Sequence, residues 1–321
     1  MNRTLPYAVF LILSFCFSVL TGCSFNPAYK PENIRLLRPE KAEATANPAF
    51  LIYEWQKRYN RIGRVRVRVT NKKEQVFIDP NSPVIYFDKR SFATESAEYT
   101  NFIYRIHFPE IPFSLFPFHL AAGNNVGIIV IITTDKNRNP VLITTANTCG
   151  CYVSITATGF LPPQAYPPDW SEKDQSVYGE ILPARLQIVN PDSELRIFIR
   201  PEVHRVMGIE VATSNSPKTH QTVTADLQPL AALKSLRLPD GGYTSMFYSN
   251  WPLRGHVKGA VKPWETALLS LISLDLYVGM DKEYGSIDNS NPFYTSLLPW
   301  NRNKSDMNNF LQFLRFYGWN L

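Results

Sequence analysis

The alternation of apolar and polar residues in the middle of the chain predicts a series of strands. Between residues 64 and 69 valine alternates with arginine, and a period of two is typical of a half-buried strand. Turn residues at 79–81, 135–140 and 190–192 bound these segments, and the turn at 135–140 indicates an antiparallel hairpin. The further predicted strands are 75–79, 84–87, 100–108, 127–134, 140–145, 151–158, 185–189, 195–199 and 206–211.

The spacing of apolar residues in the last third of the chain predicts helices instead. Leucines at 227, 230, 233 and 236 share one helical face, and two further helices are predicted over 263–278 and 306–317. The expected caps and stops of these helices are Asp226, Gly279, Ser305 and Gly318. The apolar face of the second predicted helix consists of Trp264, Leu268, Leu271, Ile272 and Val278.

Strands followed by helices are typical of an α+β protein. The sequence therefore predicts an antiparallel, sandwich-like β-rich body followed by a helical C-terminal third. Residues 49–60 fit either a short helix or a strand. The expected division is a signal peptide at 1–22, a lipid anchor and flexible tether at 23–48, the β-rich body at 49–215, and a helical region at 216–321 packed on the body.

The first 23 residues combine an early positive charge, an apolar run and small residues. The apolar run begins at Leu5 behind Arg3 and is roughly 16 residues long, short of the ~20 that a spanning helix needs. This combination is typical of a secretory signal. Its last four residues, Leu20-Thr21-Gly22-Cys23, resemble the lipobox of bacterial lipoproteins at every position.

The resemblance to bacterial lipoproteins implies cleavage before Cys23 and attachment of diacylglycerol to its thiol. A third acyl chain on the new amino terminus usually completes such an anchor, and several chains together hold a protein stably on a membrane. Ser24 follows the cysteine, and in the enterobacterial sorting rule a residue other than Asp favours the outer membrane. The expected location is the cell envelope, with the protein anchored to the outer membrane and facing the periplasm.

The net charge of +6 is concentrated next to the expected anchor. Residues 24–73 hold twelve Lys or Arg and four Glu, a net charge of +8, whereas residues 74–321 have a small negative balance. Basic residues near an anionic membrane surface contribute about 1 kcal/mol each to binding. We therefore expect Arg64, Arg66 and Arg68 to bind acidic phospholipid head groups, with a solvated basic face as the alternative. Nucleic acid is not an expected partner in this compartment.

Cys149-Gly150-Cys151 is the sharpest local feature of the expected mature chain. Cys16 leaves with the signal and Cys23 is expected to carry lipid, so these two thiols remain in an oxidising compartment. Three interpretations are open: a structural disulfide or inert pair, a redox-active pair, and a metal site completed by histidine. The structural interpretation is favoured, and no cofactor is expected apart from the lipid on Cys23.

An acidic residue and three histidines are further candidates for chemistry. Asp275 falls within the apolar face of the second predicted helix, where an unpaired carboxylate is costly. It is therefore either a structural partner for a donor or a catalytic or ligand-binding acid, with Arg254 or His256 as the expected neighbour. His256 lies in a turn-like stretch, and His107 and His119 are additional candidates, although His107 fits the polar face of a strand.

Two functions from different classes are consistent with these features. The first is a non-enzymatic, membrane-anchored periplasmic protein that binds an envelope protein or supports the envelope. The second is an envelope enzyme, or a thiol-redox or metal protein, in which Cys149 and Cys151 act with Asp275 and with His256, His107 or His119. The sequence contains no Gly-x-Ser-x-Gly or Ser-x-x-Lys motif and no phosphate-binding glycine loop, so whether the protein is an enzyme is left open.

Overall fold

The computed structural model describes residues 30–41, 47–191, 193–212, 220–285 and 291–321. The expected signal peptide, the lipobox with Cys23 and part of the expected tether lie outside the described residues. Strands dominate the described part of the chain, and its two α-helices, α1 (Pro263–Ser273) and α2 (Phe310–Phe316), are short.

Seventeen strands are found in the described part of the chain. They are β1 (Arg35–Pro39), β2 (Pro48–Ile52), β3 (Arg64–Thr70), β4 (Lys73–Asp79), β5 (Val84–Ala93), β6 (Glu98–Ile111), β7 (Gly123–Thr134), β8 (Pro140–Asn147), β9 (Ser154–Thr158), β10 (Gln175–Val177), β11 (Glu180–Leu182), β12 (Arg185–Leu186), β13 (Leu195–Ile199), β14 (Val206–Val211), β15 (Gln221–Pro229), β16 (Leu236–Arg237) and β17 (Tyr243–Thr244). Short 3-10 helices lie at Pro31–Asn33, Arg58–Asn60, Pro163–Ala165, Leu230–Lys234 and Pro299–Asn301.

Eleven of the strands form one mixed sheet in the order β12-β9-β8-β7-β6-β5-β15-β1-β2-β13-β14. Strands β5 to β9 follow one another as antiparallel neighbours. β15 lies between β5 and β1 and is parallel to both, so a segment from the last third of the chain completes the middle of the sheet. The hairpins β3–β4, β10–β11 and β16–β17 form separate two-stranded sheets.

Buried ion pairs connect the two edges of the large sheet. β11 comes directly before the edge strand β12 in the chain, and it packs against β14 at the opposite edge. Glu180 on β11 is 3% exposed and pairs with Arg200 and Arg205, which lie between β13 and β14. Nη2 of Arg200 donates to a Glu180 carboxylate oxygen at 2.6 Å. The sheet is therefore curved round, with β11 between its edges.

The sheet separates two hydrophobic cores. The inner core contains side chains such as Phe50 on β2, Tyr104 on β6 and Ile197 on β13. The outer core lies between the other face of β5–β9 and the chain after residue 230, and it contains Ile131 and Phe313. Every residue of β8 and nearly all of β7 is buried, because both faces of these strands are covered. The run 128–132 in β7 and the run 141–143 in β8 are accordingly apolar without alternation.

The expected sandwich-like body with a helical C-terminal third is wrong. The body is one mixed sheet, and most of the last third has no helix. Residues 221–229 form β15 because their backbone pairs with β1 on one side and β5 on the other. Asp226, the expected helix cap, instead pairs with Arg64 at 2.6 Å. The leucine spacing of three is met by the 3-10 helix Leu230–Lys234, which buries Leu230 and Leu233.

The other two predicted helices are shorter than expected. α1 begins at Pro263 but ends at Ser273, because Leu274 takes a left-handed conformation with φ 49°. α2 covers seven residues, and its cap is the side chain of Asn309, which accepts a hydrogen bond from the backbone of the first helical turn. Ser305, the expected cap, is a buried residue of the preceding loop.

Several loops and the start of the described chain meet at one end of the sheet, which we name the loop end. Arg35, the first residue of β1, and Ile199, the last residue of β13, both pair with Ile52, the last residue of β2. β1 therefore begins at this end of the sheet, and β2 and β13 end there. The ends of β6 and β8 and the start of β7 join them, and the Gly63 N–H donates to His107 O on β6 at 3.0 Å. The loops that meet there are 53–63, 112–122, 148–153 and 200–205.

Candidate functional site

A disulfide between Cys149 and Cys151 lies in the loop that follows β8. The loop turns tightly, because the Gly150 N–H donates to Asn147 O at 2.8 Å and the Asn147 N–H donates to Cys151 O at 2.9 Å. Gly150 has a φ of 91°, and a side chain here would collide with the Tyr294 carbonyl. Glycine between the two cysteines is therefore required by the backbone conformation and by the close approach of a neighbouring segment.

Lys282 lies against the disulfide loop and contacts it twice. Its ammonium group donates to Cys149 O, and to Met280 O at 3.2 Å, while its backbone N–H donates to Thr148 O at 2.7 Å. Its Nζ also lies 4.1 Å from the centroid of the Tyr294 ring, a cation–π contact. Lys282 is 4% exposed, so carbonyl dipoles and an aromatic ring solvate this amine in place of water.

The burial of Lys282 changes its acidity. Burial lowers the pKa of the Lys282 ammonium from 10.5 to about 8, because the charged form loses its hydration. The carboxylate of Asp275 acts in the opposite direction without offsetting burial. Lys282 is consequently a buried amine that loses its proton close to the physiological range.

A second buried lysine, Lys262, makes the ion pair that fixes the start of α1. Its Nζ lies 3.0 Å from Oδ2 of Asp281, and the two side chains are 1% and 0% exposed. Glu265, in the first turn of α1, lies 3.9 Å from the same ammonium. Burial acts to lower the pKa of Lys262, but the charges of Asp281 and Glu265 more than offset it, and this pKa is raised. Lys262 therefore stays charged at neutral pH.

Asp281 also connects this ion pair to the sheet. Its Oδ1 accepts hydrogen bonds from the Gly127 N–H, at 3.2 Å, and from the Thr148 hydroxyl. Gly127 lies on β7 and Thr148 follows β8, so one carboxylate joins two sheet strands to the residue before α1. A side chain at Gly127 would approach Nδ1 of His107 within 2.8 Å, so this position is also confined by its neighbours.

Asp275 lies beyond the end of α1, and not within its apolar face. Its carboxylate accepts hydrogen bonds from the Tyr294 hydroxyl and from the Tyr277 N–H, at 2.8 Å, and it lies 3.5 Å from Nη2 of Arg302. Burial acts to raise the pKa of Asp275, but these hydrogen bonds and the charge of Arg302 outweigh it and lower this pKa. The contacts support the structural interpretation of Asp275, with Arg302 in the position expected for Arg254.

His256 is placed beside Lys282 by its backbone. The two residues form an isolated antiparallel bridge, and Nδ1 of His256 lies 3.2 Å from Leu253 O. Burial, together with the charge of Lys282, lowers the pKa of His256 to about 4. The imidazole is therefore neutral at physiological pH, and the nearby Asp275 does not reverse this.

The other two candidate histidines are buried at the loop end. His107 is fully buried, although the strand pattern suggested a polar face, and its Nε2 accepts a hydrogen bond from Nε of Arg105 at 2.9 Å. Burial and the charge of Arg105 hold the pKa of His107 well below its usual range. Nδ1 of His119 lies 2.8 Å from Pro112 O, and its Nε2 lies 4.0 Å from a carboxylate oxygen of Glu202.

The three arginines expected to bind lipid head groups lie on β3. Arg64 pairs with Asp226 at 2.6 Å and Arg66 pairs with Asp79 at 2.9 Å. Arg68 has no carboxylate partner among the residues that the structure describes. Two of these three positive charges are therefore balanced within the protein, which weakens the argument that this strand attracts an anionic surface.

α1 presents its apolar side chains to solvent and its polar side chains to the body. Glu265 and Ser273 are buried, whereas Leu271 and Ile272 are 84% and 59% exposed. The apolar side of the helix, on which the sequence pattern places a buried Asp275, therefore faces solvent. The rotation of the helix follows from its ends, where Lys262 pairs with Asp281 and the Arg302 guanidinium donates to Ser273 O.

The structure brings Cys149, Cys151, Asp275 and His256 together around Lys282. The sequence did not single out Lys282 itself. The charge cluster, as we name it, contains Lys262, Glu265, Asp275, Asp281, Lys282 and Arg302. Lys262 directly precedes the predicted helix, and 281–283 is a run of three charged residues after its expected stop. Charges on both sides of an apolar helix were the available signal, but nothing in their spacing shows that they are buried.

The burial of the charge cluster and of the disulfide limits the chemistry that they can perform. Three cations face three carboxylates, and the most buried pair, Lys262 and Asp281, has almost no contact with water. Cys149 is 5% exposed, so Cys151, which is half-buried, is the more accessible residue of the pair. The described residues contain no group of three or more His, Cys, Asp or Glu side chains that could hold a metal ion.

No protein-family model, curated protein or solved structure matches the chain. Within the described ranges, no helix combines the length and the apolar composition that crossing a bilayer requires.

Removing the charge of Asp281 tests the buried ion pair. Asp281→Asn keeps an acceptor for Thr148 but leaves the Lys262 ammonium without its closest counter-charge, and we expect a loss of about 3–5 kcal/mol in the free energy of unfolding. Asp79→Asn, at the partly exposed pair with Arg66, is the matched control and should cost less than about 1 kcal/mol. Urea unfolding without reductant measures both, and equal losses would contradict the assignment.

The lowered pKa of Lys282 predicts how stability depends on pH. The unfolded chain keeps the proton up to about pH 10.5, whereas the folded protein releases it from about pH 8, so the unfolded state binds more protons between these values. The contribution of Lys282 to stability should therefore rise with pH, by about 1.5 kcal/mol between pH 8 and 9.5, whereas tyrosines such as Tyr86 and Tyr284, whose pKa burial raises, act in the opposite direction in every variant. Lys282→Met should remove this rise, as measured by urea unfolding at both pH values.

The control for this pH experiment is Lys73→Met on the exposed side of β4, which should keep the rise. The raised pKa of Lys262 acts above pH 10.5, outside the measured window. The same slope in the wild type and in Lys282→Met would show that Lys282 titrates as it does in water.

Proposed function

We propose that this protein is a lipid-anchored envelope protein that binds an envelope partner or supports the envelope, and that it is not an enzyme. The observation that carries the proposal is the sequence Leu20-Thr21-Gly22-Cys23 at the end of a short apolar run. Diacylglycerol on Cys23, with a further acyl chain on its amino group, anchors the mature chain. With Ser24 next to it, the anchor is assigned to the outer membrane, with the folded part in the periplasm.

The contacts within the charge cluster support a non-catalytic role. Each carboxylate of Asp275 and Asp281 has internal donors, and the neutral His256 is buried beside them. General acid–base catalysis needs groups within reach of a substrate, and ion pairs that are closed off from solvent do not provide them. The cluster instead supports a structural interpretation, in which it holds α1 and the disulfide loop on the sheet.

The lipid anchor can be tested directly on the full chain. Expressed with its own signal in a bacterium fed an alkyne fatty acid, the protein should become labelled, and mass spectrometry should find an N-terminal acylated Cys23. Cys23→Ala should remove the label and block the normal cleavage, because the modified thiol is what the pathway recognises. Cys16→Ser, within the same apolar run, is the matched control and should stay labelled. Label that persists in Cys23→Ala would overturn the proposal.

Thiol–disulfide exchange is the second candidate function, and the unequal burial of the two cysteine residues favours it. A thiolate of a partner dithiol would attack the sulfur of Cys151, the more accessible residue, forming a mixed disulfide and releasing Cys149 as a thiolate. The second thiol of the partner would then release Cys151. Two electrons pass from the dithiol to the protein disulfide, and the partner becomes a disulfide.

Exchange can be distinguished from a structural disulfide by the reduction of the folded protein. If exchange is the function, a mild dithiol should reduce the pair without unfolding the protein, as shown by maleimide trapping and circular dichroism. Cys149→Ser with Cys151→Ser should then fold normally but no longer exchange with the dithiol. A pair that is reduced only in denaturant would exclude this candidate and leave the disulfide a structural one.

A further inference from the structure

α1 and the residues after it form an apolar surface without charge. The exposed positions between 263 and 276 are all apolar: Pro263, Trp264, Ala267, Leu268, Leu271, Ile272, Leu274 and Leu276. Leu274 and Leu276 are 74% and 72% exposed, even though they follow the end of the helix. The acidic side chains in this range, Glu265 and Asp275, point to the body. This is the reverse of an ordinary surface helix, whose apolar stripe faces the core.

The loop between β6 and β7 extends this surface. The Phe113 ring stacks on Trp264 with centroids 5.8 Å apart, and the Phe118 ring meets Trp264 edge-on at 5.9 Å. Leu115 and Phe116 are 59% and 96% exposed. We name α1, residues 274–276 and residues 113–118 together the apolar face. A continuous exposed patch of this kind marks an interaction surface, because exposing apolar side chains to water is unfavourable and monomeric soluble proteins rarely do so over a large area.

The start of the described chain lies at the same end of the molecule as the apolar face. The Trp55 N–H donates to Asn33 O at 2.9 Å, which ties the residues before β1 to the 53–63 loop. Asn60, in that loop, accepts a hydrogen bond from the Glu202 N–H at 2.8 Å. Glu202 in turn lies 4.0 Å from His119, in the same loop as Phe113. The entry of the chain and the apolar face therefore both belong to the loop end.

The covalent anchor is separated from this end by a short stretch of chain. Seven residues lead from Cys23 to Lys30, the first described residue, and an extended chain of that length spans at most about 25 Å. A bilayer that holds the acyl chains of Cys23 must therefore lie within this distance of the loop end. The anchor brings the membrane to the side of the protein that carries the apolar face.

We propose that the apolar face lies in the head-group and acyl-chain boundary of the membrane that holds the lipid anchor. The inference rests on the proposed lipid anchor. The composition of the face fits lipid: Trp264 and Phe116 suit the interface, and leucines fill the acyl boundary below it. A second copy is the poorer occupant, because the proposed anchor already holds a bilayer within about 25 Å of the loop end, whereas no contact among the described residues places a second copy there.

Membrane contact through α1 would fix the orientation of the whole body. The start of β7 lies against the segment that leads into α1. Gly123 is so close to Val261 that a Cβ atom added at Gly123 would lie 2.6 Å from Val261 O. β7 then runs for twelve residues to the turn at 135–139, about 40 Å away in an extended strand. That turn projects into the periplasm, away from the bilayer.

Fluorescent labels at two positions test this orientation. The lipidated protein carrying Leu271→Cys or Asn137→Cys is labelled with an environment-sensitive nitrobenzoxadiazole maleimide without reductant. It is then reconstituted into phosphatidylethanolamine–phosphatidylglycerol vesicles that contain lipid with a doxyl quencher in the acyl chain. We expect a blue shift and loss of most of the fluorescence at 271, and neither at 137. Leu276→Cys, also exposed, is a second position on the apolar face.

The outcomes separate this inference from the proposed anchor. Vesicle flotation reports the anchor, and quenching at 271 reports the apolar face. Protein that floats with the vesicles but is unquenched at 271 and 276 would overturn the inference while the anchor stands. Energy transfer between labels at 271 on different copies, without quenching by lipid, would assign the face to a dimer and also overturn it. Protein that does not float would overturn both proposals.

Discussion

The buried ion pair between Lys262 and Asp281 holds α1 on the sheet, and the direction in which the helix faces depends on it. A surface helix usually attaches through its apolar stripe, but this one attaches through charges at its ends. Because Lys262 and Glu265 are buried against the body, the leucines on the opposite side of α1 face solvent. Burying a charge is costly unless it is paired. A rotation of the helix that buried its leucines would move Lys262 away and leave Asp281 as a buried carboxylate without its counter-charge.

The same cluster explains why the disulfide loop is where it is. Thr148, at the start of this loop, donates to Asp281, and Lys282 holds both Thr148 and Cys149 through carbonyl oxygens. Gly150 then fits beneath the Tyr294 carbonyl, with no room for a side chain. The loop end therefore combines a rigid polar interior with an apolar exterior, which is the arrangement expected of a part that rests on lipid while the rest of the sheet extends into water.

Local patterns predicted the strands well and the helices poorly. The segments predicted at 195–199 and 206–211 coincide with β13 and β14, because short runs rich in β-branched and aromatic residues between turn residues are a local signal of a strand. The segment 221–229 was predicted as a helix but is β15, because open pairing positions on β1 and β5 outweigh its leucine spacing. Asp275 and His256 were candidates in the sequence, and both lie near Lys282, which was not predicted, since burial of a lysine leaves no mark in sequence.

The sequence alone determined the short apolar run that ends at Cys23, the basic stretch that follows it, and most of the strands, since each depends on residues close together in the chain. Tertiary structure alone decided the order of the eleven strands, the closure of the sheet through Glu180, and the outward face of α1. An amphipathic pattern states that a helix has two faces. Which face is buried depends on the charge of Asp281, which pairs with Lys262 and accepts hydrogen bonds from residues 127 and 148, and only the fold brings these residues together.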